Sequence, residues 1–182
     1  LARIGGGQSN PTFFVDFDDR ALVLRKQPPG DLLPSAHAVD REFRILRALS
    51  GTDVPVPNAV LYCDDRSVVG TPFYVMDKLD GRVMSTYALP QIAPAERRAY
   101  YFAMAETLAK LHRVDLAATG LTDYGKPGNF FQRQITRWIR QWDASRTRED
   151  ANIDRLIAWL PANIPPSDQT TIAHGDYRFG NL

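Results

Sequence analysis

The sequence predicts an α+β chain in two parts: an antiparallel, β-rich stretch with one helix over residues 1–80, then a helical stretch over 81–182. Three observations predict it. Short apolar runs broken by Pro and Gly fill the first part. Apolar residues at i, i+3, i+4 and i+7 fill the second. The period changes from 2 to 3.6 around Gly81.

Element by element, Thr12-Phe13-Phe14-Val15-Asp16-Phe17 and Ala21-Leu22-Val23-Leu24-Arg25 flank a hairpin turn at Asp18-Asp19-Arg20. Pro28-Pro29-Gly30 breaks the second strand. A helix follows from about Ala36 to Leu49, with Val39, Phe43, Leu46 and Leu49 on one face and Gly51 as its stop. Pro55 and Pro57 bracket an extended link to Val60-Leu61-Tyr62, and a further apolar run covers Pro72-Phe73-Tyr74-Val75-Met76. Beyond Gly81, Pro94-Ala95-Glu96 starts a helix, because Pro lacks a donor that the first turn would not use. It runs to about His112 with Phe102, Ala105, Leu108, Ala109 and His112 at helical spacing. Ile135, Trp138, Ile139 and Trp142 repeat that spacing, and Leu156, Ile157 and Leu160 open a helix that Pro161 ends. Trp138, Trp142 and Trp159 read as core or lobe-packing residues.

Composition narrows the function. The 182 residues are 44% hydrophobic and 24% charged, and 22 Lys and Arg against 21 Asp and Glu leave a net charge of +1. Those values are ordinary for a globular domain, and a chain of this size buries roughly 70% of its unfolded surface. Balanced charge argues against a nucleic-acid binder relying on a basic face. Cys63 is the sole cysteine, so no internal disulfide forms and no oxidising compartment is required. No apolar stretch approaches the roughly 20 residues that span a bilayer. The opening Leu1-Ala2-Arg3-Ile4 is not a signal peptide. A cytoplasmic chain with no membrane and no nucleic-acid partner is expected. Both ends read as cut, since the chain enters glycines by residue 5 and stops one residue past a dense polar cluster.

Three motifs carry chemistry. Gly5-Gly6-Gly7-Gln8-Ser9-Asn10 lies between strand-like segments, and successive N–H groups in such a loop can cradle phosphate oxygens. Phe13-Phe14-Val15 continues as strand rather than helix, which disfavours a dinucleotide fingerprint. Taken alone, the loop is equally an ordinary glycine turn. Arg25 and Lys26 end a strand, and Glu42 sits on the helix after it. A strand cation paired to a helix glutamate fixes a side chain over nucleotide phosphates. The period leaves open which cation points inward, and a solvated surface pair fits the same residues. Last, His174-Gly175-Asp176 is followed by Asn181, the Asp-to-Asn spacing of a protein-kinase catalytic loop. There the Asp accepts the proton of an attacking hydroxyl and the Asn oxygen ligates Mg²⁺. Arg178 stands where it could meet the transferring phosphoryl charge. His112 reads as a packed or capping residue. Cys63 and His37 lack metal-ligand partners at any recognisable spacing.

Gly6-Gly7-Gln8-Ser9-Asn10-Pro11-Thr12, Val23-Leu24-Arg25, Glu42-Phe43, Met76-Asp77-Lys78-Leu79-Asp80-Gly81, Leu111-His112 and His174-Gly175-Asp176 with Asn181 together resemble the aminoglycoside phosphotransferase family, over nearly the whole chain. Tyr124-Gly125-Lys126-Pro127-Gly128-Asn129, then Arg133 and Trp138, resemble the branch fused to some acyl-CoA dehydrogenases. The resemblance implies a protein-kinase-like two-lobed fold, truncated at both ends. It divides into a nucleotide-binding lobe over 1–80 and an incomplete helical lobe over 81–182 with its catalytic loop at 174–181. It implies ATP and Mg²⁺ as cofactors and a small-molecule hydroxyl as acceptor, a hydroxyacyl compound in this branch. A non-catalytic nucleotide-binding scaffold and a true aminoglycoside O-phosphotransferase are the alternatives. By position, Gly6, Gly7, Ser9 and Asn10 fall on the phosphate-covering loop. Arg25, or alternatively Lys26, anchors the phosphates with Glu42 as helix partner. Met76 faces the adenine, and the backbone at Asp77 and Leu79 bonds its edge. Asp176 becomes the base, assisted by Arg178, and Asn181 a Mg²⁺ ligand. The family's second metal-binding aspartate, in a strand beyond this loop, has no counterpart within these residues, so a chain ending at Leu182 is expected to be inactive by itself.

Overall fold

The computed structural model describes residues 2–4, 10–30, 37–84, 86–166 and 169–182. Its order is β1 (Ala2–Arg3), β2 (Thr12–Asp16), β3 (Ala21–Lys26), α1 (Val39–Leu49), β4 (Ala59–Cys63), α2 (Arg66–Val69), β5 (Phe73–Asp77), α3 (Pro94–His112), α4 (Phe130–Ser145) and α5 (Ala151–Ala162), closed by a 3₁₀ turn at Phe179–Asn181. The chain forms two compact units, Leu1–Thr119 with Ile172–Leu182, and Gly120–Thr171.

In the first unit five strands form one antiparallel sheet in the order β1-β2-β3-β5-β4. The expected hairpin between β2 and β3 closes through Phe17 N–H on the Arg20 carbonyl at 2.8 Å. Strand alternation sends Leu22, Phe73 and Val75 to one face, where they form a core with Val15, Leu24, Val60, Cys63 and Val69. The opposite face carries Arg25 directly beside Tyr74 and meets α1, whose Phe43 ring lies 6.2 Å from Tyr74. Helix α1 starts at Val39, later than the expected start near Ala36 (a position outside the described residues), because His37 takes φ +59° and Ala38 is the N-cap. The short α2 adds one helical turn to a part expected to hold a single helix. It forms because the Asp65 carboxylate takes the Ser67 N–H at 2.8 Å and Gly70 closes the turn at φ +86°.

Two further apolar clusters fix the rest of this unit. Leu49 at the end of α1 packs with Val54, and with Leu111 and Leu108 of α3; Ile172 completes that cluster. The segment that leads into His174 is therefore pinned to both helices, although it is coil rather than the strand-like step its residues suggest. Met84, Leu89, Ile92 and Phe179 form the other cluster, with Tyr100 and Met104 against it. Leu89 is fully buried, worth about 2 kcal/mol. The packed stripe of α3 is thus Tyr100, Met104, Leu108 and Leu111; of the expected Phe102, Ala105, Leu108, Ala109 and His112, Leu108 alone lies on it and the other four are exposed. Phe102 is exposed, with the Arg98 guanidinium 5.1 Å from its ring centre. Apolar residues surround α3, so the neighbouring clusters rather than its period select the face.

The second unit is built on α4 and α5. In the first turn of α4, the Arg133 guanidinium donates to the carbonyls of Lys126, at 2.8 Å, and Gly128, which explains the company that arginine keeps with the Gly-Lys-Pro-Gly-Asn segment. Helix α5 starts at Ala151, earlier than its apolar residues indicate, because the Asp150 carboxylate caps Asn152 N–H at 3.1 Å and Ile153 N–H at 3.4 Å. Pro161 sits within the last turn instead of ending the helix before it. Between the helices lies an apolar groove of about 320 Å³ lined by residues including Phe131, Ile135, Trp138, Trp142, Ile153 and Leu156. Trp138 and Trp159, expected as core or lobe-packing residues, are 57% and 56% exposed.

Candidate active site

Two constellations form in the first unit. One joins β2, β3, β5 and α1. Arg25 Nε donates to Glu42 Oε2 at 2.7 Å and Arg25 Nη2 to Oε1 at 3.3 Å. Period 2 then sends Lys26 to the other face, where its ammonium reaches the Val69 carbonyl. The alternative left open by the sequence resolves to Arg25 as the partner of Glu42. Arg25 Nη1 also donates to the Thr12 hydroxyl at 3.2 Å. Glu42 accepts two further bonds, from Tyr74 Oη at 3.1 Å and Asn10 Nδ2 at 2.8 Å. Burial, and next the Glu42 charge, push the Tyr74 phenol far above its ordinary pKa. This tyrosine stays a donor.

Asn10 is placed by its side chain. It is 4% exposed, and the other end of its amide meets His37 Nδ1 at 2.8 Å. Gly6, Gly7 and Ser9, its companions on the expected phosphate loop, lie outside the described residues. Along β5, Met76 is half-buried and sits opposite Val23. The Asp77 N–H donates to the Asn58 carbonyl at 3.0 Å, and Leu79, just past the strand, is 63% exposed.

The second constellation is the loop after Ile172. Gly175 takes φ +86°, a conformation costly for a residue with a Cβ, and this turns Asp176 outward into solvent. The Asp176 N–H points to His174 Nδ1 at 3.4 Å. Tyr177 Oη donates to the Met104 carbonyl at 2.6 Å, tying the loop to α3. Asn181 Nδ2 donates to Asp176 Oδ2 at 2.6 Å and to the Asp176 carbonyl at 2.9 Å. Arg178 Nε reaches both Asp176 oxygens, at 3.2 and 3.3 Å. These bonds, Asn181 first and Arg178 second, hold the Asp176 carboxyl below the usual carboxylate range. Arg178 thus meets Asp176 itself. A Cβ on Gly180 would stand 2.9 Å from its guanidinium, so that glycine gives the arginine its room.

The donor set suits a hard cation. With the Asn181 NH₂ engaged on Asp176, its Oδ1 is the atom left for a metal, beside an ionised carboxylate. Mg²⁺ is held by one or two protein oxygens, with phosphates and water completing its shell. Among the described residues no group of three or more His, Cys, Asp or Glu side chains forms a metal cage.

Sequence reasoning missed Thr12, Tyr74 and His37. The register pairing Arg25 with Tyr74 was implicit in strand alternation, whereas nothing local marks His37. No helix among the described residues is long and apolar enough to cross a membrane.

Comparison with known proteins follows the same lines. The chain is 46% identical over all 182 residues to mouse (Mus musculus) acyl-CoA dehydrogenase family member 10, of which it spans 17%. It superposes with a TM-score of 0.88 on a solved Ralstonia eutropha structure assigned by name to the aminoglycoside phosphotransferases. The two are 46% identical over 99% of this chain and 53% of that one. The GDP complex of aminoglycoside 2'-phosphotransferase-IIIa shares the fold with a TM-score of 0.59 at 16% identity, over 88% of this chain and 52% of that one. The sheet, the helices and these neighbours make the fold α+β and protein-kinase-like. With a model of the phosphotransferase enzyme family matching residues 1–182, the chain belongs to that family.

Proposed function

We propose that this chain is the nucleotide-binding and catalytic part of an ATP-dependent kinase that transfers the γ-phosphate to the hydroxyl of a small molecule. The hydrogen-bonded pair Asp176–Asn181 carries the reading. Asp176 is ionised, solvent-facing and held from two sides, the disposition needed to orient an acceptor hydroxyl and take its proton. Arg25, fixed by Glu42, supplies a cation for the phosphates, and Asn181 Oδ1 would face Mg²⁺. Bound Mg²⁺ neutralises phosphate charge. Met76 and the backbone at Asp77 and Leu79 would flank the base, dividing the chain near residue 80 into a nucleotide lobe and a helical lobe. An adenine nucleotide is our reading; a GDP-bound neighbour makes GTP its competitor.

For the acceptor, a hydroxyacyl compound is favoured. The relative at 46% identity is named an acyl-CoA dehydrogenase family member, and that name supports an acyl compound as acceptor. A net charge of +1 offers no acidic surplus for a polycationic aminoglycoside. The enzyme would then act in the cytoplasm on a free small molecule, without nucleic acid or membrane. Consumption of ATP and of GTP by the complete protein that contains these residues, measured with hydroxyacyl and with aminoglycoside acceptors, tests each part. Turnover confined to aminoglycosides overturns the acceptor, GTP-only turnover overturns the nucleotide, and nucleotide binding without transfer to any hydroxyl favours a scaffold.

A further inference from the structure

We propose that His37, acting through Asn10, is a positioning residue for the Arg25–Glu42 pair. The inference rests on the kinase reading for its enzymatic test, not for its structural one. Glu42 receives Arg25 on both oxygens, at 2.7 and 3.3 Å, so both oxygens act as acceptors. Asn10 therefore presents its NH₂ to Glu42, and its Oδ1 faces His37. His37 Nδ1 must carry the proton that fills this contact. The ring donates from Nδ1 whether it is neutral or charged, so the chain His37→Asn10→Glu42 runs in one direction.

Backbone geometry supports a demand for this particular side chain. His37 sits at φ +59°, in the left-handed region, with its carbonyl held by Gln27 Nε2 at 3.1 Å. A non-glycine residue there is strained, and a position with no use for its ring would be relieved by glycine. Asparagine also tolerates that conformation, and its Nδ2 stands as many bonds from the backbone as the imidazole Nδ1. Aspartate has the same shape but sets an acceptor against an acceptor. The three substitutions separate backbone from hydrogen bond.

Expected results follow directly. In the complete protein that contains these residues, His37→Gly raises the ATP KM about 5-fold with kcat nearly unchanged, as does His37→Asp, while His37→Asn stays within about 2-fold of the parent. Urea unfolding shows a cooperative transition for all three variants, with each folded under assay conditions, which excludes misfolding as the cause. Nitrogen NMR of the parent shows the Nδ1–H tautomer of neutral His37, and the slowly exchanging Arg25 Nε–H signal broadens in His37→Gly and returns in His37→Asn. An Nε2–H tautomer, or equal ATP KM values for Gly, Asp and Asn variants, overturns the relay. If the complete protein that contains these residues neither binds nor turns over ATP, the kinase reading fails instead, and the tautomer and Arg25 signals still decide the relay.

Discussion

The Asn181 amide holds Asp176 twice, by its carboxylate at 2.6 Å and by its backbone carbonyl at 2.9 Å. One residue thereby aims the proposed base and leaves its own oxygen free of Asp176 for the proposed metal position. In the complete protein that contains these residues, Asp176→Asn is expected to lower phosphoryl transfer by about 10³-fold while ATP affinity changes little, because the lost group is the proposed acceptor of the hydroxyl proton. Asn181→Ala removes a metal-facing oxygen, so its main loss appears in Mg²⁺-dependent nucleotide binding. Turnover and binding, with and without Mg²⁺, separate the two. Parent-level turnover by Asp176→Asn would remove Asp176 from the chemistry.

The same bonds set the pH profile. Asn181 and then Arg178 stabilise the charged form of Asp176, so its folded-state pKa lies below its unfolded value. Ionisation of Asp176 is complete through neutral pH, and the acid limb of kcat/KM falls below the ordinary carboxylate range. Replacing Arg178 by Gln removes one stabilising donor and moves that limb to higher pH. Stability carries the same sign: any contribution from this site is present above the unfolded pKa and is lost as pH falls through the folded one. A limb that moved to lower pH in Arg178→Gln would contradict this account.

Much of this was legible in the residues. Strand and helix periods placed the sheet, α3 and α4, and the His-Gly-Asp spacing marked the loop that the structure knits together. The choice between Arg25 and Lys26 was not legible, because alternation says only that they face opposite ways. The position of α1 over one face decides which meets a glutamate. Asn10 illustrates a second limit. Its place beside glycines suggests a ligand-facing loop, yet its amide is buried between Glu42 and His37, a contact spanning 27 residues with no local signature. Trp138 and Trp159 show a third, since helical spacing defines a face without saying what covers it.

Opposite faces predict opposite phenotypes for the two cations. Arg25→Met breaks the pair with Glu42 and should raise the ATP KM about 10-fold or more, as expected for a charge-assisted contact. Lys26→Met loses the Val69 carbonyl on the far side of the sheet. That substitution should cost about 1 kcal/mol of unfolding free energy and move ATP affinity far less than Arg25→Met does. Equal effects of both on ATP would mean that phosphate anchoring does not discriminate between the faces.

Phe179 is the apolar anchor of the same loop. It is buried against Met84, Leu89 and Ile92, and its ring meets Tyr101 edge-on at 5.1 Å between centres. Two residues to either side stand Tyr177, bonded to α3, and Asn181, bonded to Asp176. Phe179→Ala therefore removes a packed aromatic from between two fixed points, at a cost of about 3 kcal/mol in unfolding free energy. It also frees Asn181 to drift from Asp176, so kcat should fall at temperatures where the fold persists. Phe179→Leu keeps most of the buried carbon and should recover over half of both losses. Urea unfolding and turnover at low temperature check the two together. A destabilised Phe179→Ala with the parent kcat would show that the loop keeps its geometry without this anchor.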